Sequence, residues 1–284
     1  MRILRICFLL SGCLAVFSCS LFTQKKKSVR SPAGYDLSAP RTIRLDENLD
    51  EISGIAYVPV GPMLMAINDE EGRKYTISLP EGKVKRGARF AKGGDFEDVV
   101  LMGDTAYVLK SNGHLYTIKG VGGDSLASVK TDFPSKGRFD FETLFRLPGT
   151  GQLIMLCKTC PDQTNRVPGY VHNPDSGQTA DSASFHLDIS ALPDSFPLPD
   201  KSVLHPSGGA VHPVTGHLFI LASANGLLII ADQGGTVRET YKLDRKVFKQ
   251  PEGICFAPDG GLYISNEAGT GFANIHYFPY QKKP

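Results

Sequence analysis

Five acidic residues in this 284-residue chain recur at equivalent places, and together they could hold a hard cation: Glu97, Glu142, Glu252, Asp69 and Glu267. The first three open copies of one short phrase, where Ser53 and Ser207 open the others. Asp69, within Asn68-Asp69-Glu70, and Glu267, after Asn266, stand where the next apolar run of a copy ends. Lys110-Ser111, Lys158 and Ser223 take that second place elsewhere. Carboxylates brought together repel: at an effective dielectric near 20, a pair about 5 Å apart costs roughly 3 kcal/mol. The repulsion is relieved by proton uptake, by a lysine, or by a bound cation. Oxygen ligands without a convergent His or Cys favour Ca²⁺ or Mg²⁺ over zinc, and Ca²⁺ tolerates six to eight ligands at loose angles. Singly, each residue reads as well as a solvated strand start, and Asn68 to Gly72 has the composition of a hairpin turn. Recurrence in one register is what makes the set a candidate metal site, with Lys110 and Lys158 as partial counter-charges.

The elements that must position these residues come from the repeat itself. Ser53-Gly-Ile-Ala-Tyr-Val-Pro59, Ser207-Gly-Gly-Ala-Val-His-Pro213 and Glu252-Gly-Ile-Cys-Phe-Ala-Pro258 share one frame, which Glu97 to Gly103 and Glu142 to Pro148 also fit. In each copy a turn follows, then a second apolar run: Met63 to Ile67, Ala106 to Leu109, Leu153 to Leu156, Leu218 to Leu221, Leu262 to Ile264. Short apolar runs between turn residues read as strands, and continuous ones as strands covered on both faces. A third strand follows at Lys74–Leu79, Leu115–Lys119, Ser184–Asp188, Leu227–Ala231 and Asn274–Tyr280. Gly and Pro, 30 and 19 residues, are too frequent for a mainly helical protein. A unit of about 45 residues with three or four antiparallel strands covers both faces only by stacking on copies of itself, as in a β-propeller. The expected fold is all-β: five antiparallel blades, with Arg41 to Leu45 supplying the last blade's outer strand and closing the ends. First strands line the central channel, so the five acids fall at one mouth. The long third copy reads as a blade carrying a polar surface loop from Pro161 to Asp181.

The ends carry different information. Met1 to Arg5 is basic and Ile6 to Phe17 apolar, a secretory signal too short to span a bilayer. Ser18-Cys19 resembles the lipobox of bacterial lipoproteins, which implies a signal peptide over 1–18, lipid on Cys19 and a tether over 19–40, with the propeller over 41–284. Such an anchor holds a chain at a membrane surface. Ser20 favours the outer membrane of a cell envelope, with the body facing periplasm or exterior. Without the signal, the tether and the two terminal lysines, the body has 23 basic and 28 acidic residues, about −5. That sign argues against nucleic acid as a partner. Cys157 and Cys160 are spaced for a small disulfide, which would leave Cys255 buried and free.

Ser53-Gly54-Ile55, Asn68-Asp69-Glu70, Asp95-Phe96-Glu97-Asp98, Phe141-Glu142, Pro206-Ser207, Gln250-Pro251-Glu252-Gly253-Ile254 and Ile264-Ser265-Asn266-Glu267 resemble the SdiA-regulated family of bacterial envelope proteins, distant relatives of NHL-repeat propellers. The resemblance spans roughly residues 45–280 and implies a five-bladed propeller with a calcium site. The function expected is a lipid-anchored envelope module that binds calcium at the channel mouth and presents a surface to an unidentified ligand or protein. The alternative is a calcium-dependent hydrolase of phosphate esters or lactones. No Gly-x-Ser-x-Gly elbow, P-loop or dinucleotide fingerprint is present.

Overall fold

The computed structural model describes residues 30–123, 125–161, 165–190 and 204–282. The expected signal peptide and Cys19, the expected lipid site, lie outside them. Strand β1 (Arg41–Arg44) precedes five sheets. Blade one is β2 (Ile52–Val58), β3 (Met63–Asn68), β4 (Arg73–Ser78) and β5 (Val84–Arg89). Blade two is β6 (Phe96–Met102), β7 (Thr105–Lys110), β8 (Leu115–Lys119) and β9 (Ala127–Thr131). Blade three is β10 (Asp140–Arg146), β11 (Leu153–Thr159) and β12 (Arg166–Asn173), with β13 (Gln178–Thr179) and β14 (Phe185–Asp188) outside it. Blade four is β15 (Gly208–Val211), β16 (Leu218–Ala222), β17 (Leu227–Ala231) and β18 (Val237–Lys242). Blade five is β19 (Pro251–Phe256), β20 (Leu262–Asn266), β21 (Asn274–Phe278) and, outermost, β1. The expected closure is therefore seen: Arg41 pairs with Tyr277 and Arg44 with Asn274. Each innermost strand contacts the next, from β2 through β6, β10, β15 and β19 back to β2, so the ring is complete.

Alternation along each strand explains why neighbouring blades stick. In β3, Leu64 and Ala66 pack with Tyr263 and Ile275 of blade five, whereas Met65 and Ile67 pack with Val99 and Val108 of blade two. In β11, Leu153, Met155 and Cys157 join Leu109 and Leu115, while Ile154 and Leu156 join Leu218 and Ile220. A fifth core, between blades four and five, holds Phe219, Leu221, Ile264 and Phe278. Each such aliphatic side chain contributes roughly 1.5–3 kcal/mol when fully buried. The described end of the expected tether belongs to this core: Tyr35 and Leu37 are buried in it, and the Tyr35 hydroxyl donates to the Gly260 carbonyl at 2.6 Å.

Blade three departs from the sequence expectation. The supposed loop Pro161 to Asp181 contains β12, the blade's third strand, and β13. The run Ser184–Asp188 is an outer strand instead: Arg166 pairs with Asp188, and farther along β12 His172 pairs with Thr179 of β13. Polar residues mask β12 in the sequence, yet Val167 and His172 are fully buried and His172 Nδ1 lies 2.9 Å from the Thr179 hydroxyl. The Cys157–Cys160 disulfide is formed and Cys255 is a buried free thiol.

The inner strands approach one another closely at one level of the channel. At the second position of the repeat stand Gly54, Asp98, Thr143, Gly208 and Gly253. A Cβ on Gly208 would meet the Glu252 carbonyl oxygen at 2.3 Å, and one on Gly253 the Ser53 carbonyl oxygen at 2.4 Å. The backbones touch here because glycine lets them. This waist separates an upper bowl from a lower cup. Among the described residues no helix is long and apolar enough to cross a membrane.

Candidate functional site

The upper bowl is where the repeat's first position emerges. In four of the five inner strands the ladder slips at that position: between Ile52 and Ile55, Phe96 and Asp98, Phe141 and Thr143, and Pro251 and Ile254. Glu97 and Glu142 are each the residue left over by the slip. A bulge re-aims a side chain that regular alternation would turn into a neighbouring sheet. The local sequence thus delivers one acid or serine per inner strand to the mouth.

Asp69, Glu97, Glu142, Glu252 and Glu267 all line one bowl of about 390 Å³. Asp95, Ser53, Ser207 and Ser223 share its wall, and Lys158, Arg245, Lys249 and His205 add positive or titratable groups. Spacing in the sequence pointed to the five acids; it missed Asp95, which lies two residues before Glu97, and the basic residues brought in by the loop between β18 and β19. Of the two expected counter-charges only Lys158 serves, bonded to the Glu142 carboxylate. Lys110 turns aside, its ammonium 5.8 Å from the centre of the Phe96 ring. Glu70 is exposed. Asn68 supports the turn, its Oδ1 accepting from the Glu71 N–H at 2.9 Å.

The electrostatics follow from burial among like charges. Burial first, then Glu142, Asp95 and Asp140, push the Glu97 pKa up to about 9, with Lys158 opposing. Glu252 is driven well up by burial and by Glu267 and Glu142. Glu267 rises to about 7 through burial and the charges of Glu51, Asp69 and Glu142, and Asp69 to about 6 through burial, Glu51 and Glu70. Glu142 is raised by burial, against the hydrogen bond from Lys158. The Gln250 amide donates to Glu267 at 2.6 Å. Left over are buried atoms with no hydrogen-bond partner: Asp69 Oδ1, Ser53 Oγ and His205 Nδ1.

These donors fit a hard cation in kind: oxygens, several of them acidic, two of them orphaned. Among the described residues no three His, Cys, Asp or Glu side chains are drawn together as a finished cage. A bowl of this size instead accommodates an ion that keeps part of its water shell, as oxygen-ligated Ca²⁺ commonly does. Any such ion would be held by Asp69, Glu97, Glu142, Glu252 and Glu267, with water completing its coordination.

Comparison with known proteins places the fold. The PQQ-bound aldose sugar dehydrogenase of Streptomyces coelicolor is similar at a TM-score of 0.55 and 11% identity, over 85% of this chain and 97% of that one. A luciferin-regenerating enzyme is similar at 0.50 and 10%, over 85% and 95%. A calcium-binding protein, regucalcin from Agrobacterium tumefaciens strain C58, gives 0.49 and 14%, over 89% and 96%. The first two are likenesses of fold, and none of the three carries a ligand to this chain. No curated protein matches the sequence. The family profile described as SdiA-regulated matches residues 34–273.

Proposed function

This chain belongs to the SdiA-regulated family, and from that premise we propose that it is an envelope binding module whose upper bowl takes up a calcium ion. Glu97, Glu142 and Glu252 supply charge from three inner strands, and Asp69 and Glu267 from the ends of two second strands. The ion orders the mouth and presents it to a ligand or protein of the envelope. Lipid on Cys19 holds the module to a membrane, the outer one by the residue that follows. The observation that supports the calcium reading is the excess of acid: six carboxylates share the bowl with three basic side chains, of which Lys158 is bonded to Glu142. A divalent cation relieves that repulsion at the least structural cost.

The test is thermal. Millimolar Ca²⁺ is expected to raise the melting temperature of the protein over a chelator control, because a ligand bound only by the native state stabilises it by mass action. No shift would remove the calcium reading. Calcium-dependent turnover of a phosphate ester or lactone would move the assignment from binding module to hydrolase.

A further inference from the structure

One sector of the upper bowl differs from the rest. Blade four alone has no acid at either of the repeat's two mouth positions: Ser207 and Ser223 stand there, and both belong to the bowl wall. The Ser207 hydroxyl donates to the Pro251 carbonyl at 2.9 Å and accepts from the Ser223 N–H at 3.2 Å. These serines hold the wall together and give this side no negative charge of its own.

The connection from β18 to β19 brings two cations to the same bowl. The Val247 and Phe248 N–H groups both donate to the Asp244 carbonyl at 2.8 Å, which closes a turn, and Phe248 anchors that turn in the core between blades four and five. Arg245 and Lys249, four residues apart across the turn, both line the bowl. The Arg245 guanidinium donates from Nη2 to the Ala224 carbonyl at 2.8 Å. A Cβ on Gly226 would meet its Nε at 3.5 Å, so the group lies along the hairpin between β16 and β17. Arg245 makes no ion pair with a described residue, and Lys249 makes neither an ion pair nor a hydrogen bond with one. Surplus acid and unpaired cations in one bowl call for a ligand of each sign. The bowl has the room: about 390 Å³ exceeds what a calcium ion and its six to eight oxygen ligands fill, since a water occupies about 30 Å³.

We propose that the bowl takes a small phosphate monoester together with its calcium ion, the phosphate lying on the blade-four side against Arg245, with Lys249 as a second positive charge. This rests on the calcium reading above, because without a cation the acids of the bowl would repel a dianion. A phosphate monoester carries about −1.5 to −2 at pH 7, more than a carboxylate, and its oxygens match the fork of a guanidinium. The anion and the ion therefore help each other to bind.

The probe is phenylphosphonate, which mimics a phosphate monoester and has no ester bond to hydrolyse. It is titrated calorimetrically into the full chain, once with Ca²⁺ and once with chelator. One molecule per chain is expected to bind, about tenfold tighter with Ca²⁺ than without, and it should tighten calcium by the same factor. Benzoate, benzyl alcohol and benzylamine are expected to bind at least about tenfold more weakly. Arg245→Gln is expected to lose about tenfold in phosphonate affinity and to keep the calcium-induced rise in melting temperature. Lys246→Gln, which changes an exposed lysine of the same turn outside the bowl, is expected to keep both. The comparison of probes on unmodified protein stands even if a variant does not fold. A calcium response without phosphonate binding would overturn this inference and leave the calcium reading in place, whereas no calcium response would remove both. Equal phosphonate affinity in calcium and in chelator, equal affinity for benzoate, or equal losses in the two variants would each overturn it as well.

Discussion

Glu97 and Asp98 are neighbours in sequence and lie on opposite sides of one bulge. Asp98 goes to the waist, almost fully buried, and there each oxygen finds a donor: the Val99 N–H reaches Oδ1 and the Leu144 N–H reaches Oδ2, both at 2.8 Å, and the Gly209 N–H adds a third contact. It ties the inner strands of blades two, three and four together. Glu97 goes to the bowl, where it faces Glu142, Asp95 and Asp140. Burial raises the pKa of both. A buried acid answered by backbone donors is part of the scaffold, whereas one left among like charges is waiting for a counter-charge.

The sharpest way to break this comparison is Asp98→Ala. It leaves three interior N–H groups unanswered, and we expect a loss of about 4 kcal/mol in urea unfolding. Gly253→Ala should cost about 2 kcal/mol, since its new methyl meets the Ser53 carbonyl oxygen at 2.4 Å and the Ser265 hydroxyl, itself held by hydrogen bonds, at 2.5 Å. Neither change touches the bowl's carboxylates, so in both variants the remaining folded protein should still respond to calcium.

The bowl should behave in the reverse sense. Glu252→Gln replaces an acid that folding must strip of its charge with a neutral amide, so without calcium it is expected to stabilise the protein by about 1 kcal/mol, while the calcium-induced rise in melting temperature shrinks. Glu71 is the control. It lies outside the bowl, clasped by Arg73 and Arg86, and accepts from the Tyr75 hydroxyl at 2.7 Å. Glu71→Gln should cost under about 1 kcal/mol and leave the calcium response intact. Equal calcium responses in the two variants would dissolve the ring of acids as a functional unit.

The bowl also makes a prediction in pH. Glu97, Glu267 and Asp69 titrate near 9, 7 and 6, above the ordinary carboxylate range. The native state therefore keeps protons that the unfolded chain has released, and stability is lost as pH rises from the ordinary carboxylate range to about 9. Below that range the difference vanishes. Melting curves from about pH 5 to 9 should show this decline without calcium and a flatter course with it, because the ion takes the place of the protons. A flat curve without calcium would mean that these acids are not strained.

Local patterns made most of the wheel readable. Apolar runs broken by Gly and Asp turns mark the strands, their spacing marks the blades, and the leftover Arg41–Arg44 has one open edge to fill. The five acids were readable because they share a register. What escaped depends on three-dimensional choices that no period encodes. The slip in the ladder sends Glu97 up and Asp98 down, though both follow Phe96. Lys110 and Lys158 hold equivalent positions, yet one rests near a phenyl ring and the other pairs with an acid. In β12, pairing on both edges overrides a polar sequence. Arg245 and Lys249 reach the bowl from a connection whose course the repeat does not specify.

The strap of blade five imposes an order on assembly. Its strand leaves the ribosome before any sheet exists, and the edge it must cover is made last. Until translation is nearly over, every partial product has four blades or fewer and two unsealed flanks. The final snap of four residue pairs, Arg41 to Arg44 against Tyr277 to Asn274, turns an open arc into a circle.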